Sequence, residues 1–376
     1  MKEYKVCNNC VMDTSDSKIT FDENGVCDHC NNYYNNILPE WNYGEDRHEE
    51  LERILHKLKK EGQSKKYDCI IGLSGGLDSS YLLHLAVKEF KLRPFVFCVD
   101  TCWNTETAVH NNNVMINSLG LDSVTYKVPE KEMMDLQLAF FKAQVPYQDS
   151  PQDQAIFAAL YDFSVKNGFR YVLTGANHSC ECVREPSEWC HMNDNILLKD
   201  IHSKFGKIKL KEYPLVGMFK NRIYYTYLKK MQRVPLLNLV PYNKENAMQL
   251  LESNYGWERY PYKHFESIFT RFFEGYWLIE KFGYDKRRAH FSSLILTEQM
   301  TREEALEDIN NIKYYDNYYK EDLEFISAKL GISSEEFLEM MDEPNKTYRD
   351  YKNGFKLYNS AIKLAKFVGI EKRNIR

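Results

Sequence analysis

The sequence predicts an α/β protein: a doubly wound parallel sheet with an N-terminal zinc ribbon and a C-terminal helical domain. Three observations carry that expectation. Between residues 67 and 174 short apolar runs alternate with helical stretches, the pattern of successive βαβ units. Near the N-terminus four cysteines fall into two C-x2-C pairs. From residue 243 onward the hydrophobic spacing is helical, with no repeat period.

Composition agrees with a globular chain. Its 376 residues suggest two or three domains, read as 1–45, a zinc ribbon with linker; 46–240, the sheet domain; and 241–376, the helical domain. A net charge of −4 gives no general affinity for nucleic acid. No apolar run reaches about 18 residues, and residues 1–5 have no signal-peptide core, so a cytoplasmic protein without membrane contact is expected. Six of the ten cysteines are scattered, which suits buried thiols in a reducing compartment.

Taken in order, Cys7, Cys10, Cys27 and Cys30 form C-x2-C-x16-C-x2-C. Four thiolates in two knuckles suit a tetrahedral structural zinc. Asn24-Gly25 between them marks a hairpin turn. A unit of about thirty residues cannot bury a core alone, so the metal would stabilise it. His29 reads as an exposed bystander and 31–47 as linker. An amphipathic helix follows over 49–60, with Leu51, Ile54, Leu55 and Leu58 on one face.

Strands are expected over 69–73, 94–99, 123–128 and 170–174. Helices should start near Asp78 and cover 112–119 and 154–166. Residues 186–240 look irregular, with a strand-like run over 213–219 and a helix over 224–231. Helices are then expected over 245–253, 265–282, 287–298, from the Thr301/Glu304 capping box to 310, from Ser333/Glu336, and over 358–367.

The junction after the first strand, Ser74-Gly75-Gly76-Leu77-Asp78-Ser79, is an anion site by construction: glycines permit close backbone approach, and a helix N-terminus follows. No lysine follows, so it is not G-x-x-x-x-G-K-[ST]. It resembles the S-G-G-x-D-S loop of the PP-loop ATP pyrophosphatases, whose fold is adenine nucleotide alpha hydrolase-like. That resemblance implies a loop holding the β,γ-pyrophosphate of ATP while AMP passes to a substrate oxygen.

Ligands of such sheets lie at the carboxyl ends of the strands. Asp100 and Gly175, at two of those ends, therefore join the nucleotide set. Thr105 caps a helix or sits beside ATP. Glu181 is either an oxygen ligand for Mg²⁺ or a solvated loop acid. Cys180, Cys182 and Cys190, with His178 and His191, are a second metal group or tolerated thiols; Cys98, Cys102, Cys180 and Cys182 are the alternative sulfur carriers. Lys263, His264, Arg271, Lys281, Lys286 and Arg287 place cations among aromatics, which suits an anionic sugar ligand or, alternatively, a solvated basic face.

With these motifs together the chain resembles the N-acetyl sugar amidotransferase family of bacterial surface-polysaccharide (lipopolysaccharide, O-antigen) biosynthesis. The likeness rests on Cys7-x-x-Cys10, Phe21-Asp22-Glu23-Asn24-Gly25-Val26-Cys27, the PP-loop, Trp103-Asn104-Thr105-Glu106, Glu181-Cys182-Val183-Arg184-Glu185-Pro186, Lys263-His264-x-Glu266-Ser267 and Lys281-Phe282-Gly283-Tyr284-Asp285-Lys286-Arg287. It implies conversion of an N-acetyl group on a sugar to an acetamidino group through an adenylated amide oxygen, with ATP, Mg²⁺ and structural Zn²⁺. Ser74, Gly75, Gly76 and Ser79 would contact pyrophosphate. Ser74, Asp78 and Glu181 would be catalytic, and His264, Arg271, Lys281, Lys286 and Arg287 would bind substrate. Position 2 is lysine and no G-x-C-x-G elbow occurs, so the chain is expected to lack its own glutaminase; the resemblance implies that ammonia comes from a separate glutaminase similar to that of imidazole glycerol phosphate synthase. The sugar, a UDP-linked diacetamido uronic acid or a nine-carbon nonulosonic acid, is not specified. The rival reading is a PP-loop tRNA-modifying enzyme that thiolates or ligates.

Overall fold

The computed structural model describes residues 3–41, 45–189, 194–311 and 318–358, with residues 360 and 363. Strands β1 (Cys69–Gly72), β2 (Pro94–Asp100), β3 (Ser123–Lys127), β4 (Tyr171–Leu173) and β5 (Gln232–Val234) form one sheet in the order β3-β2-β1-β4-β5. Every neighbouring pair is parallel. The doubly wound expectation is borne out, and its cause is legible in alternate residues. Cys69, Ile71, Val96, Cys98, Tyr171 and Leu173 enter one core. Ile70, Phe97 and Val172 enter another on the opposite face. Strands buried on both faces read as continuous apolar runs.

The first core holds helices Glu45–Gly62, through Leu51, Leu55 and Leu58, and Leu77–His84, through Leu82 and Leu83. The second holds Ser150–Lys166 and the wide-turned helix Lys220–Leu228, through Ala158 and Tyr225. From β1 the chain steps outward to β2 and β3, then returns to β4 on the other side. The switch point therefore lies between β1 and β4, where open α/β sheets bind ligands.

A third core is aromatic. Trp103, Phe140, Phe141, Phe269, Phe272, Phe273, Trp277 and Phe337 pack together, uniting the loop after β2, helix Glu130–Lys142 and the C-terminal helices. The N-terminal unit forms a fourth core with Trp189, Ala289 and Leu296. Its knuckle is also held by hydrogen bonds: Arg302 donates to the carbonyls of Cys7 (2.8 Å) and Cys10 (3.0 Å), Arg288 to that of Val11 (2.9 Å).

Several local expectations change. Residues 31–47 are not plain linker: Asp28–Asn32, Tyr33–Ile37 and Leu38–Trp41 are helical, with Tyr33 and Trp41 buried. Helix Glu130–Lys142, passed over in the sequence, buries Met133, Gln137, Phe140 and Phe141 along one face. No strand forms over 213–219. Side chains satisfy that backbone instead, Gln154 taking both the N–H (3.0 Å) and the carbonyl (3.2 Å) of Val216. The sheet edge beside β4 is the short β5. His29 is 9% exposed, because Asp16 accepts its Nε2 at 2.9 Å. Both capping boxes are present, opening Arg302–Asn310 and Ser334–Asp342. The helix expected over 358–367 falls mostly outside the described residues. No described helix is long and apolar enough to cross a membrane.

Candidate active site

The loop after β1 is built to leave backbone donors free. Gly76 is the N-cap of helix Leu77–His84 and offers no side-chain acceptor, so the amides of the first turn remain available to an anion. Gly75 has φ +86°, and a Cβ there would lie 2.6 Å from the Ala108 carbonyl oxygen. Only glycine fits both demands. Ser74 Oγ and Ser79 Oγ are 3.1 Å apart, and Ser74 Oγ accepts the Gly76 amide at 3.2 Å, which folds the loop into a cradle.

The loop after β4 closes against this cradle. A Cβ on Gly175 would come within 3.1 Å of Asp78 and 3.2 Å of the Ser79 nitrogen. Asn177 caps the short helix His178–Glu181 by accepting the Cys180 amide at 2.7 Å, and so fixes Glu181 across the switch point from Asp78. Asp100, at the end of β2, accepts the Cys102 amide at 2.8 Å.

The third wall comes from the C-terminal region. Asn111, fully buried, exchanges hydrogen bonds of 2.8 Å with the Glu258 backbone and donates to the Gly75 carbonyl, which Tyr260 also contacts at 3.1 Å. Thr105 caps its helix and its amide donates to the Glu266 carbonyl at 3.0 Å; Ile268 N donates to the Trp103 carbonyl at 2.9 Å. The segment from Glu258 to Ile268 thus lies over two sheet loops at once. It delivers Lys263, His264 and Glu266. His264 adopts φ +65°, a left-handed backbone conformation uncommon for a non-glycine residue.

These side chains form a charged network. Lys263 donates to Glu181 at 2.5 Å, and Tyr242 donates to Asp78. Burial raises the Asp78 pKa, although Lys263 opposes it. Burial likewise works against Glu181, yet the Lys263 ammonium holds its pKa below the usual value. Burial opposes the His264 imidazolium, but Glu274 and Glu266 carry its pKa up to about 9. Beside it, Lys286 is 9% exposed and bridges Asp149 (3.2 Å), Glu185 (3.1 Å) and Glu274 (3.2 Å). Burial and Asp149 push Asp153 up to about 7.

Of the sequence-derived residues, the structure brings Ser74, Gly75, Gly76, Asp78, Ser79, Gly175, Glu181, His264 and Lys286 into this region. It engages the other three cations within the helical region. Arg271 is bidentate to Asp322 (2.8 and 2.6 Å). Lys281 caps Ser334–Asp342 through the carbonyls of Met340, Met341 and Glu343. Arg287 holds Asp285 and the carbonyls of Asp308 and Ile309. Sequence reasoning placed Lys263 only within a ligand-binding basic patch, without its Glu181 partner, and passed over Glu266, Tyr242 and Asn111; the run Lys263-His264-x-Glu266 was the available signal for Glu266.

The metal sites pass a chemical test. The sulfurs of Cys7, Cys10, Cys27 and Cys30 are fully buried, and contacting pairs lie 3.6–3.9 Å apart. Four thiolates about 2.3 Å from a tetrahedral Zn²⁺ would be separated by about 3.8 Å. The Cys27 amide donates to Cys7 Sγ at 3.2 Å, and the Met12 amide to Cys10 Sγ at 3.4 Å, as thiolate ligands require. For Mg²⁺, Asp78 and Glu181 offer two hard oxygen ligands beside a phosphate cradle, a set this ion takes together with phosphate and water.

Among the described residues no second metal group forms. Cys180 and Cys182 enter different cores, and Cys190 and His191 lie outside the described residues. Cys98, Cys180 and Cys182 are buried and Cys102 half-buried, and burial raises all four thiols, to about 11 for Cys98, Cys102 and Cys182. That is the reverse of what a sulfur carrier needs.

Comparison with known proteins agrees with this geometry. Residues 48–184 match the NAD synthase family, and residues 266–365 match the family described as LPS biosynthesis protein WbpG-like, C-terminal domain. The chain belongs to the PP-loop ATP pyrophosphatase superfamily. Among curated relatives, an uncharacterized protein of Methanocaldococcus jannaschii is 31% identical over 129 residues; the match spans 43% of that protein and 34% of this chain. Solved structures with detectable similarity include the NH3-dependent NAD synthetase of Campylobacter jejuni (12% identity, TM-score 0.30, 80% of this chain and 98% of that one). The NMN synthetase of Francisella tularensis is another (16% identity, TM-score 0.28, 60% and 92%). In this PP-loop protein the NAD-synthase match contains the phosphate cradle, and the WbpG-like match begins at Glu266, inside the third wall.

Proposed function

We propose that this PP-loop protein is an ATP-dependent amidotransferase that converts an N-acetyl group of an anionic, nucleotide-linked sugar to an acetamidino group in lipopolysaccharide biosynthesis. One observation carries the reading: the segment that completes the phosphate site, with Lys263, His264 and Glu266, runs into the WbpG-like domain. Substrate and nucleotide are thereby read by one wall.

An amide carbon is a weak electrophile. Attack of the amide oxygen on the α-phosphorus of ATP breaks the bond to the β-phosphate and releases pyrophosphate. Ammonia then adds to the imidate carbon, the C–O bond breaks, and AMP leaves with the original oxygen. The product is an amidinium ion that carries the amide proton and two protons of ammonia; the remaining proton leaves with the phosphate products.

The residues divide that work. Ser74, Ser79 and the amides after Gly75 and Gly76 would bind the departing pyrophosphate, already oriented for it. Asp78 and Glu181 would hold Mg²⁺, which offsets charge on the phosphates. Lys263 and the His264 imidazolium would face the charge developing on the α-phosphate, with Glu266 fixing the imidazole at 3.7 Å. The Lys286 network would orient the sugar, since proximity supplies much of the barrier reduction. Ammonia would come from a separate glutaminase.

The test incubates the purified chain with ATP, ammonium and a panel of nucleotide-activated N-acetyl sugars, read by mass. One sugar should lose about one mass unit, as oxygen is replaced by NH, with stoichiometric AMP and pyrophosphate. Glutamine should replace ammonium only when a glutaminase is added. AMP release independent of every sugar, or robust turnover on glutamine by the chain alone, would overturn the proposal.

A further inference from the structure

Helix Lys220–Leu228, which leads into the edge strand β5, carries a surface with no role in the chemistry above. Phe219 is 71% exposed, Leu228 65%, Tyr227 56% and Ile223 39%. Positions 219, 223 and 227 share one helical face, with Leu228 beside them. Phe219 and Leu228 are among the most exposed large apolar residues of the described chain. The opposite side of the helix is anchored, since Tyr225 is fully buried and donates to Asp162 at 2.7 Å. The helix also has wide, i→i+5 turns, a geometry that concentrates at functional positions.

Basic residues dominate this segment, although Lys220 is paired with the half-exposed Asp162 at 2.7 Å. No acid occurs between Glu212 and Glu245, whereas Lys220, Arg222, Lys229, Lys230 and Arg233 all fall within 218–233 of a chain whose net charge is −4. Arg222, Lys229, Lys230 and Arg233 are exposed. Aromatic and aliphatic side chains are thus exposed on a helix flanked in sequence by exposed cations. Protein interfaces are depleted in lysine and seat their anchors in matching pockets. A bilayer needs no pocket, takes protruding apolar side chains at its interface, and attracts lysine and arginine when its lipids are anionic.

We propose that the face formed by Phe219, Ile223, Tyr227 and Leu228 docks this protein peripherally on an anionic phospholipid surface. This departs from the expectation of no membrane partner and is independent of the sugar reaction. The protein would lie on the membrane, not cross it.

The experiment is co-sedimentation of the full chain with vesicles of phosphatidylcholine alone, or with about one-third phosphatidylglycerol, at low and high salt. Binding should require the anionic lipid and vanish at high salt. Lys229→Gln with Lys230→Gln should weaken it about 30-fold, at about fivefold per charge lost. Phe219→Ser with Leu228→Ser should weaken it tenfold or more at roughly one apolar side chain's worth of burial. Affinity for MgATP should be unchanged in both variants, which also controls for folding. Absence of binding to anionic vesicles overturns the proposal, as does binding that both variants retain. Loss of glutaminase-dependent turnover in the variants without any vesicle binding would make the face a protein-docking surface, and overturns it too.

Discussion

Replacing Lys263 by methionine removes one charge and keeps most of the stem volume. In the resting protein this ammonium is bonded to Glu181 and attracted by Asp78. The two side chains are 21% and 39% exposed, so water screens the pair. Breaking a buried pair on one side costs about 3–5 kcal/mol and an exposed one under about 1 kcal/mol; this pair should fall near 1–2 kcal/mol. In a chain of this length that lowers Tm by roughly 1–3 °C. Mg²⁺ gives the sharper readout. With the ammonium gone, two carboxylates face each other uncompensated, so Mg²⁺ should raise the Tm of the variant more than that of the wild type. Nucleotide affinity should move the other way. Loss of one charge-assisted hydrogen bond to phosphate, about 1.5–3 kcal/mol, weakens binding roughly 10- to 150-fold. Thermal melts with and without Mg²⁺, and calorimetry with an ATP analogue that resists α,β-cleavage, measure both effects. Equal Mg²⁺ shifts together with unchanged nucleotide affinity would refute the reasoning and leave Lys263 a structural pair.

Gly75→Ala should cost about 2–5 kcal/mol, combining left-handed strain with a clash against the Ala108 backbone, and abolish MgATP binding; chemical denaturation and calorimetry check the two parts. Folding favours charged His264, so its stabilisation is full below 6.5 and is lost as pH rises through about 9. AMP release should fall over the same alkaline range, and His264→Gln should flatten that limb of the pH profile. Metal analysis should find one zinc per chain. Chelation should lower Tm and MgATP affinity together, because the cysteine unit backs the Cys182–Trp189 stretch next to Glu181.

What could be read in the sequence was local. The PP-loop is a contiguous strand, turn and helix, and its chemistry follows from six adjacent residues. The zinc unit is two short knuckles. The rest depends on approach between distant positions. Tyr260 reaches Gly75 across 185 residues, and no periodicity announces that Lys263 will meet Glu181. His29 looked exposed because its partner Asp16 lies 13 residues upstream, beyond the motif. β5 escaped notice because three residues, two of them polar, carry too little pattern to mark a strand. The cations at Arg271, Lys281 and Arg287 looked like a basic face for a ligand. Their acceptors are Asp322, Asp285 and helix-end carbonyls, which only the folded chain reveals.

The amino-terminal knuckle has a consequence for synthesis. Val11 donates to Ser292 Oγ, 281 residues later, and Cys7 and Cys10 are clasped by Arg302. At about 5–20 residues per second the knuckle must wait roughly 15–60 s for its seat to leave the ribosome. The zinc knuckle can be loaded early but not docked. Until then its apolar side and the Trp189 surface are open to chaperones. A truncation before residue 302 would make that interval permanent, so shortened chains should be recovered as aggregates or chaperone complexes instead of as free sheet domains.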